Sequence, residues 1–266
     1  MVNTTPISDQ QRASYQQNGF IHLHQVLDHS ALSTFKTDLR SKMDELEPDR
    51  PPLEERDTYG RAFTQITNLW EKSDLVRAFV FNPELARLAA QVMGVRSVRL
   101  YHDQALFKEP GGGPTPWHVD QVYWPLDTRN TCTFWIPLQD TPVEMGSLAF
   151  AAGTHHETDG RELLISDESE SFYSDWVQER GFDISQDAFQ LGDISVHNGW
   201  TVHFAGPNGS PHPREVMTII YMDGESHLLK NPSKTQLVDR DAFIPGIEPG
   251  GLADTHMNPL LYQESS

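Results

Sequence analysis

A chain of 266 residues is long enough for one large domain with a substantial core. Its 20 Lys+Arg against 38 Asp+Glu leave a formal net charge of -18, a field that repels nucleic acid and anionic membrane surfaces and disfavours a large polyanionic substrate. No apolar run approaches the roughly 20 residues of a membrane span, the first residues lack a basic start followed by an apolar core, and the lone Cys132 excludes an internal disulfide or a thiolate cluster; a cytoplasmic protein with neither nucleic acid nor membrane as partner is the expectation.

Ser8 is placed to cap a first helix running to about Asn18, with Asp9 near the positive end of its dipole and Gly19 as the stop. Phe20-Ile21-His22-Leu23-His24-Gln25-Val26-Leu27 alternates apolar and polar residues, the mark of a half-buried strand with His22 and His24 on its exposed face. Ser30 opens a second predicted helix to about Leu46, Glu47 to Pro52 reads as a surface loop, and a helical region spans roughly Glu71 to Gly94 with a break at Asn82-Pro83.

From Arg96 the character turns to strand. Ser97–Lys108, Trp117–Val122, Thr131–Leu138, Ser147–Ala151, Ala188–Gln190, Ile194–His197, Val202–Phe204 and Val216–Met222 are short segments bounded by Gly, Pro and Asn, a spacing that suggests a sandwich or barrel. Cys132, with apolar and aromatic neighbours, reads as a buried strand residue. One inserted helix is expected within Ser169–Glu179, where Phe172, Tyr173 and Trp176 form an apolar stripe suited to core or lid. The Pro- and Gly-rich tail is expected to wrap the barrel irregularly. No repeat or linker divides the chain, so the reading is a single domain: a mostly helical flank over 1–95, a strand-built core over 96–224 and an irregular tail over 225–266.

The chemistry concentrates in His118-Val119-Asp120. On an extended segment, residues two apart point to one face, so this imidazole and carboxylate can address one metal ion. A distant second histidine would complete two nitrogens and one oxygen on one side of the ion, the facial triad of non-haem Fe(II) oxygenases. His197 and His203 both stand in the right region; His203 is preferred because it lies in a strand-like Val-His-Phe run before a Gly-Pro-Asn turn. Arg214 opens the apolar strand that follows. Its planar fork suits a carboxylate ligand, or equally a salt bridge to one of the many acids.

Phe107-Lys108-Glu109-Pro110-Gly111-Gly112, then Trp117-His118-Val119-Asp120-Gln121, then Gly146-Ser147-Leu148-Ala149-Phe150-Ala151-Ala152-Gly153-Thr154-His155, then Gly192-Asp193 ahead of His203-Phe204-Ala205-Gly206-Pro207-Asn208 resemble the phytanoyl-CoA dioxygenase family, over nearly the whole chain. The resemblance implies a mainly β fold with flanking helices, built on a double-stranded β-helix or jelly-roll core as in the cupins. It implies Fe(II) held by His118, Asp120 and His203, 2-oxoglutarate gripped by Arg214 and lined by Gln104, Trp135 and Gln65, and O2 as second co-substrate. Ala152 departs from the family's usual Pro, and His155 beside it reads as structural. The presence of Asp120 disfavours halogenation, for which relatives replace the carboxylate with a small residue.

The implied reaction converts 2-oxoglutarate to succinate and CO2 while a small, largely apolar metabolite is hydroxylated, or else desaturated, cyclised or epimerised, as in natural-product tailoring. Phe107, Trp117, Tyr123, Trp124 and Trp200 are candidates for an aromatic substrate pocket. Two alternatives remain: a cupin-like binding or sensor protein that keeps metal without turnover, and a metal-dependent hydrolase holding Zn(II).

Overall fold

The computed structural model describes residues 2, 6–47, 49 and 51–265. Its first third is helical but feeds two strands into the core: α1 (Asp9–Asn18), β1 (Phe20–Leu23), α2 (His29–Leu46), α3 (Thr58–Ala62), β2 (Thr64–Thr67), α4 (Asp74–Val80) and α5 (Pro83–Met93). Ser8 and Gln11 close a capping box on α1, and Gly19 ends it at φ +83. The cap of α2 is Asp28, two residues before the expected Ser30. Asn82 caps α5 with Pro83 in its first turn, the local chemistry behind the expected break. Pro48 and Arg50 of the predicted loop lie outside the described residues.

The remaining elements are β3 (Ser97–Lys108), β4 (Thr115–His118), β5 (Thr131–Pro137), β6 (Leu148–Ala151), α6 (Asp167–Arg180), β7 (Ile184–Gln186), β8 (Ile194–Asn198), β9 (His203–Ala205), β10 (Arg214–Asp223), α7 (Lys234–Phe243) and β11 (Leu260–Gln263). The expected strand at 188–190 is reduced to an isolated bridge between Phe189 and Thr141. The tail is not irregular throughout: it contributes α7, capped by Ser233, and β11, which pairs with β3.

Among the described residues the strands form a seven-stranded antiparallel sheet in the order β1-β8-β5-β10-β3-β11, with β2 also on β3, and a four-stranded sheet in the order β4-β9-β6-β7. This is the jelly-roll core. One face of the larger sheet packs on α1, α2, α4 and α5 through a large apolar cluster that includes Phe35, Leu39, Phe79, Leu88, Phe107, Cys132 and Phe134. At about 25 cal/mol per Å2 of apolar area removed from water, this cluster is the main stabilising element. The other face looks toward the smaller sheet and carries the polar residues.

Candidate metal centre

The register of the larger sheet shows which side chains share that inner face. His102, Ile220, Thr133 and His197 stand in one row across β3, β10, β5 and β8, and Gln104, Thr218, Trp135 and Ser195 stand in the next. Successive residues of a strand alternate faces, so His102, Gln104 and Leu106 line a cavity while Asp103, Ala105 and Phe107 turn away from it.

In the smaller sheet, His118 on β4 is the direct cross-strand partner of His203 on β9. Their rings stand 4.1 Å apart. Asp120 is not on the strand: β4 ends at His118, and Asp120 belongs to the turn that follows, in which Tyr123 N donates to its carbonyl. A turn rather than the strand period brings the carboxylate back toward the imidazole. The ligand atoms of His118, Asp120 and His203 lie within 4.8 Å of one another. The Nε2 atoms of the two histidines are 3.5 and 3.7 Å from Asp120 Oδ1.

Both imidazoles are fixed from behind. His118 Nδ1 is 2.7 Å from the Pro116 carbonyl and His203 Nδ1 is 2.9 Å from that of Thr201. A carbonyl can only accept, so each Nδ1 carries a proton, which leaves Nε2 as the nitrogen that can offer a lone pair to a metal. Burial and the neighbouring His118 hold His203 well below its ordinary value, so it is neutral. Burial alone would raise the Asp120 carboxyl, but the imidazoles of His203, His118 and His197 hold it well below the usual carboxylate range. Two imidazole nitrogens and one carboxylate oxygen are the donor set that suits Fe(II).

The cavity encloses about 430 Å3. Gln65, Gln104, Trp135 and Arg214 all line it, and Gln65 donates to Gln104. Arg214 is buried, donates through Nη1 to the Gly146 carbonyl, and leaves Nε without a partner. Among the described residues no carboxylate pairs with it: its neighbour Glu215 faces the other way, to Lys36 and Arg40. Burial pulls the guanidinium down to about 10. It is still charged at neutral pH, and a buried cation without an anion is costly. A carboxylate-bearing ligand would relieve that cost.

Of the aromatic candidates, Tyr123 and Trp124 line the cavity, with the Tyr123 hydroxyl accepting from Ile165 N. Phe107, Trp117 and Trp200 do not. Phe107 belongs to the core beneath the helices, Trp117 packs with Tyr173 and Trp176 of α6, and Trp200 lies under the Arg161 guanidinium at 4.2 Å. The expectation for these three is therefore corrected. Phe107 is three residues from Gln104 and Trp117 is next to His118, odd spacings that put each on the opposite face of its strand.

Lining residues not anticipated include His102, Thr133 and Thr218 from the larger sheet and Asp239 and Phe243 from α7; His197, the alternative to His203, also lines the cavity, from β8. Period-two counting from Gln104 and Trp135 reaches His102 and Thr133; nothing local marks the two from the tail. Elsewhere His22 is less exposed than expected, because its Nε2 meets Asp193 at 2.9 Å and its ring packs on Phe189. His155 contacts the Gln16 carbonyl and Cys132 is buried.

The family model for phytanoyl-CoA dioxygenase (PhyH) matches residues 15–216. A probable alpha-ketoglutarate-dependent hypophosphite dioxygenase from Stutzerimonas stutzeri is 25% identical over 155 residues, 56% of this chain and 53% of its own length, so the match spans about half of that relative. Among solved structures, the non-haem alpha-ketoglutarate-dependent carbocyclase SnoK from nogalamycin biosynthesis superposes with a TM-score of 0.78 at 23% identity, covering 97% of this chain and 99% of that one. The epimerase SnoN, solved with Fe3+, alpha-ketoglutarate and nogalamycin RO, gives 0.77 at 25% identity over 95% and 98%. No helix among the described residues is long and apolar enough to cross a membrane. With a family match across most of its length and the jelly-roll core in place, this chain belongs to the phytanoyl-CoA dioxygenase family.

Proposed function

We propose that the protein is an Fe(II)- and 2-oxoglutarate-dependent oxygenase acting on a small, largely apolar metabolite in secondary metabolism, with release of succinate and CO2. The observation that carries the reading is the coexistence, on one cavity, of a two-histidine, one-carboxylate donor set and a buried arginine with no anion of its own. His118, Asp120 and His203 would hold Fe(II), which supplies O2 chemistry when 2-oxoglutarate is bound beside it.

The protein's own residues bind, orient and exclude water. Arg214 takes the far carboxylate of 2-oxoglutarate by charge-assisted hydrogen bonds. Trp135, whose ring centre is 5.6 Å from the Arg214 guanidinium carbon, walls that subsite, and Thr218, Gln104 and Gln65 offer it polar contacts. Tyr123 and Trp124 give the substrate an apolar wall. A cavity of about 430 Å3 shared by two ligands favours a small metabolite, or one end of a larger one, over a long acyl chain. Hydroxylation is the default outcome; desaturation, cyclisation and epimerisation differ from it in how the substrate is placed.

The test is succinate formation from 2-oxoglutarate by Fe(II)-reconstituted protein on exposure to O2, beside His118→Ala and Arg214→Ala. Turnover, even uncoupled from substrate, that disappears in His118→Ala and demands more 2-oxoglutarate in Arg214→Ala is expected. An inactive wild type that also shows no 2-oxoglutarate-dependent visible band with Fe(II) would return the protein to the sensor or hydrolase readings.

A further inference from the structure

The cavity holds a second charged group that the proposed chemistry does not use. Asp239 and Phe243, four residues apart on one face of α7, both line it. Asp239, half-buried, accepts a hydrogen bond from the Tyr101 hydroxyl through Oδ2, and among the described residues no Lys, Arg or His pairs with it. Burial pushes its carboxyl up to about 7 in spite of that hydrogen bond.

The surroundings of Asp239 are aromatic. Phe243 stacks on His102 with ring centres 4.1 Å apart, Trp124 packs on Tyr101, and Tyr123 lines the same cavity. His102 adds no competing charge, since burial pulls it down to about 4 and keeps it neutral. The strand register separates this carboxylate from Arg214. Arg214 is paired with Lys108 at one end of β3, and Tyr101 stands seven residues earlier. At about 3.3 Å per residue the backbone anchors of the two charges lie roughly 20 Å apart along the strand.

We propose that the substrate carries a basic nitrogen, protonated at neutral pH, on a flat apolar frame, and that Asp239 is the residue that selects it. This rests on the reading that Arg214 takes the co-substrate. Beside a neutral hydroxyl the group keeps its proton and gains nothing from charge, whereas an ammonium holds it ionised, pairs with it and gains from the faces of Tyr123, Trp124 and Phe243. The negative field of the whole chain, -18, concentrates cations at such a cleft. The cavity is then polarised lengthwise, with a cationic end for the dicarboxylate and an anionic end for an amine, which keeps either ligand from occupying the other's place.

The experiment titrates anaerobic Fe(II)-loaded protein with 2-oxoglutarate and then with a matched pair of probes, 2-(2-naphthyl)ethylamine and 2-(2-naphthyl)ethanol, by calorimetry. The wild type is expected to bind the amine about tenfold or more tighter than the alcohol, the increment of a hydrogen bond to a charged group. Asp239→Asn is expected to bring the two within about twofold while binding 2-oxoglutarate as the wild type does. Equal binding of both probes to the wild type, binding of neither, or an amine preference that survives Asp239→Asn overturns the inference. If 2-oxoglutarate binds normally in those cases, the oxygenase reading stands and only the substrate class falls; if 2-oxoglutarate does not bind at all, it is the oxygenase reading that fails. The wild-type comparison is decisive even if the variant folds poorly.

Discussion

His197 Nε2 lies 3.2 Å from Asp120 Oδ2, the oxygen that His118 and His203 leave free. Thr133 Oγ1 donates to the same atom at 3.0 Å. The carboxylate is therefore held on both sides, and its rotation about the Cβ–Cγ bond is fixed before any metal arrives. Because His197 and Thr133 are cross-strand partners in the rigid larger sheet, while Asp120 sits in a turn, the sheet lends the turn its precision.

Removing that support is expected to weaken metal binding without abolishing it. His197→Ala should lose about 10- to 100-fold in Fe(II) or Mn(II) affinity, the usual effect of deleting a partner that orients a ligand. His197→Gln, which can still donate an N–H, should recover most of it. His203→Ala should lose far more. A metal titration in which His197→Ala is the more damaging of the two would make His197 the ligand and His203 its support.

Arg214 makes a prediction about stability as well as binding. A buried guanidinium with an unpartnered Nε costs more in the free protein than its one hydrogen bond to Gly146 returns, so Arg214→Met, which keeps the apolar stem and drops the charge, should melt no lower than wild type. Saturating 2-oxoglutarate with Mn(II) should raise the wild-type midpoint by on the order of 5 °C, the effect of roughly a hundred-fold excess over Kd in a chain of this size. Arg214→Met should show the metal shift alone. Differential scanning fluorimetry reads both, and an equal 2-oxoglutarate shift in the variant would remove Arg214 from the co-substrate site.

How much of this could be read from residue order alone follows from which interactions are local. The caps of α1 and α5, the break at Asn82-Pro83 and the β3 span depend on neighbours in sequence, and the chain spells them out. The outward placement of Phe107 and Trp117 is legible in the same way, since β3 and β4, which point Gln104 and His118 inward, must point these two outward. Other parts depend on what meets in space. His197 differs from a ligand only by standing one sheet away from His118, across the sandwich, and Asp239 and Phe243 reach the cavity because a tail without strand or metal signals folds back over β3. Pattern reading marks the periodic scaffold and misses the segments that close over it.

Gly146 links the backbone to the co-substrate subsite. It sits at φ +82, and an added Cβ would stand 2.5 Å from the Gly206 carbonyl oxygen, a backbone atom with little room to move; its own carbonyl accepts from Arg214. Gly146→Ala is expected to cost about 2 kcal/mol or more through left-handed strain and this clash, and to raise the 2-oxoglutarate requirement by displacing the Arg214 acceptor. Gly111→Ala is the control, with φ +76 but nothing near its Cβ, so it should cost only the strain, about 1 kcal/mol. Urea melts and 2-oxoglutarate titrations of both variants separate the two effects, and a Gly146→Ala protein that binds 2-oxoglutarate normally would show that the carbonyl does not position Arg214.

Asp103 faces away from the cavity, under the helices, where it accepts backbone hydrogen bonds from Leu69 and Trp70 at 3.0 and 3.2 Å. Burial pushes its carboxyl up to about 7, further than those two donors can pull it down. The folded state thus keeps a proton that the unfolded chain, titrating near 4, has already lost. Between about pH 4 and about 7 the native state binds more protons, and the contribution of Asp103 to stability, present below the unfolded value, declines as pH rises. His102, pulled down to about 4, works in the opposite sense over a similar range and Asp239, pushed up to about 7, in the same sense, so the raw pH profile mixes several groups. The comparison with Asp103→Asn isolates the titration of Asp103: the amide never ionises, and although its single oxygen can accept from only one of Leu69 and Trp70, that loss is the same at every pH. The variant should gain on the wild type steadily from pH 5 to pH 7.5 in urea denaturation. If the wild type gains instead, the two backbone donors outweigh burial and Asp103 is an ionised anchor of the turn at Leu69.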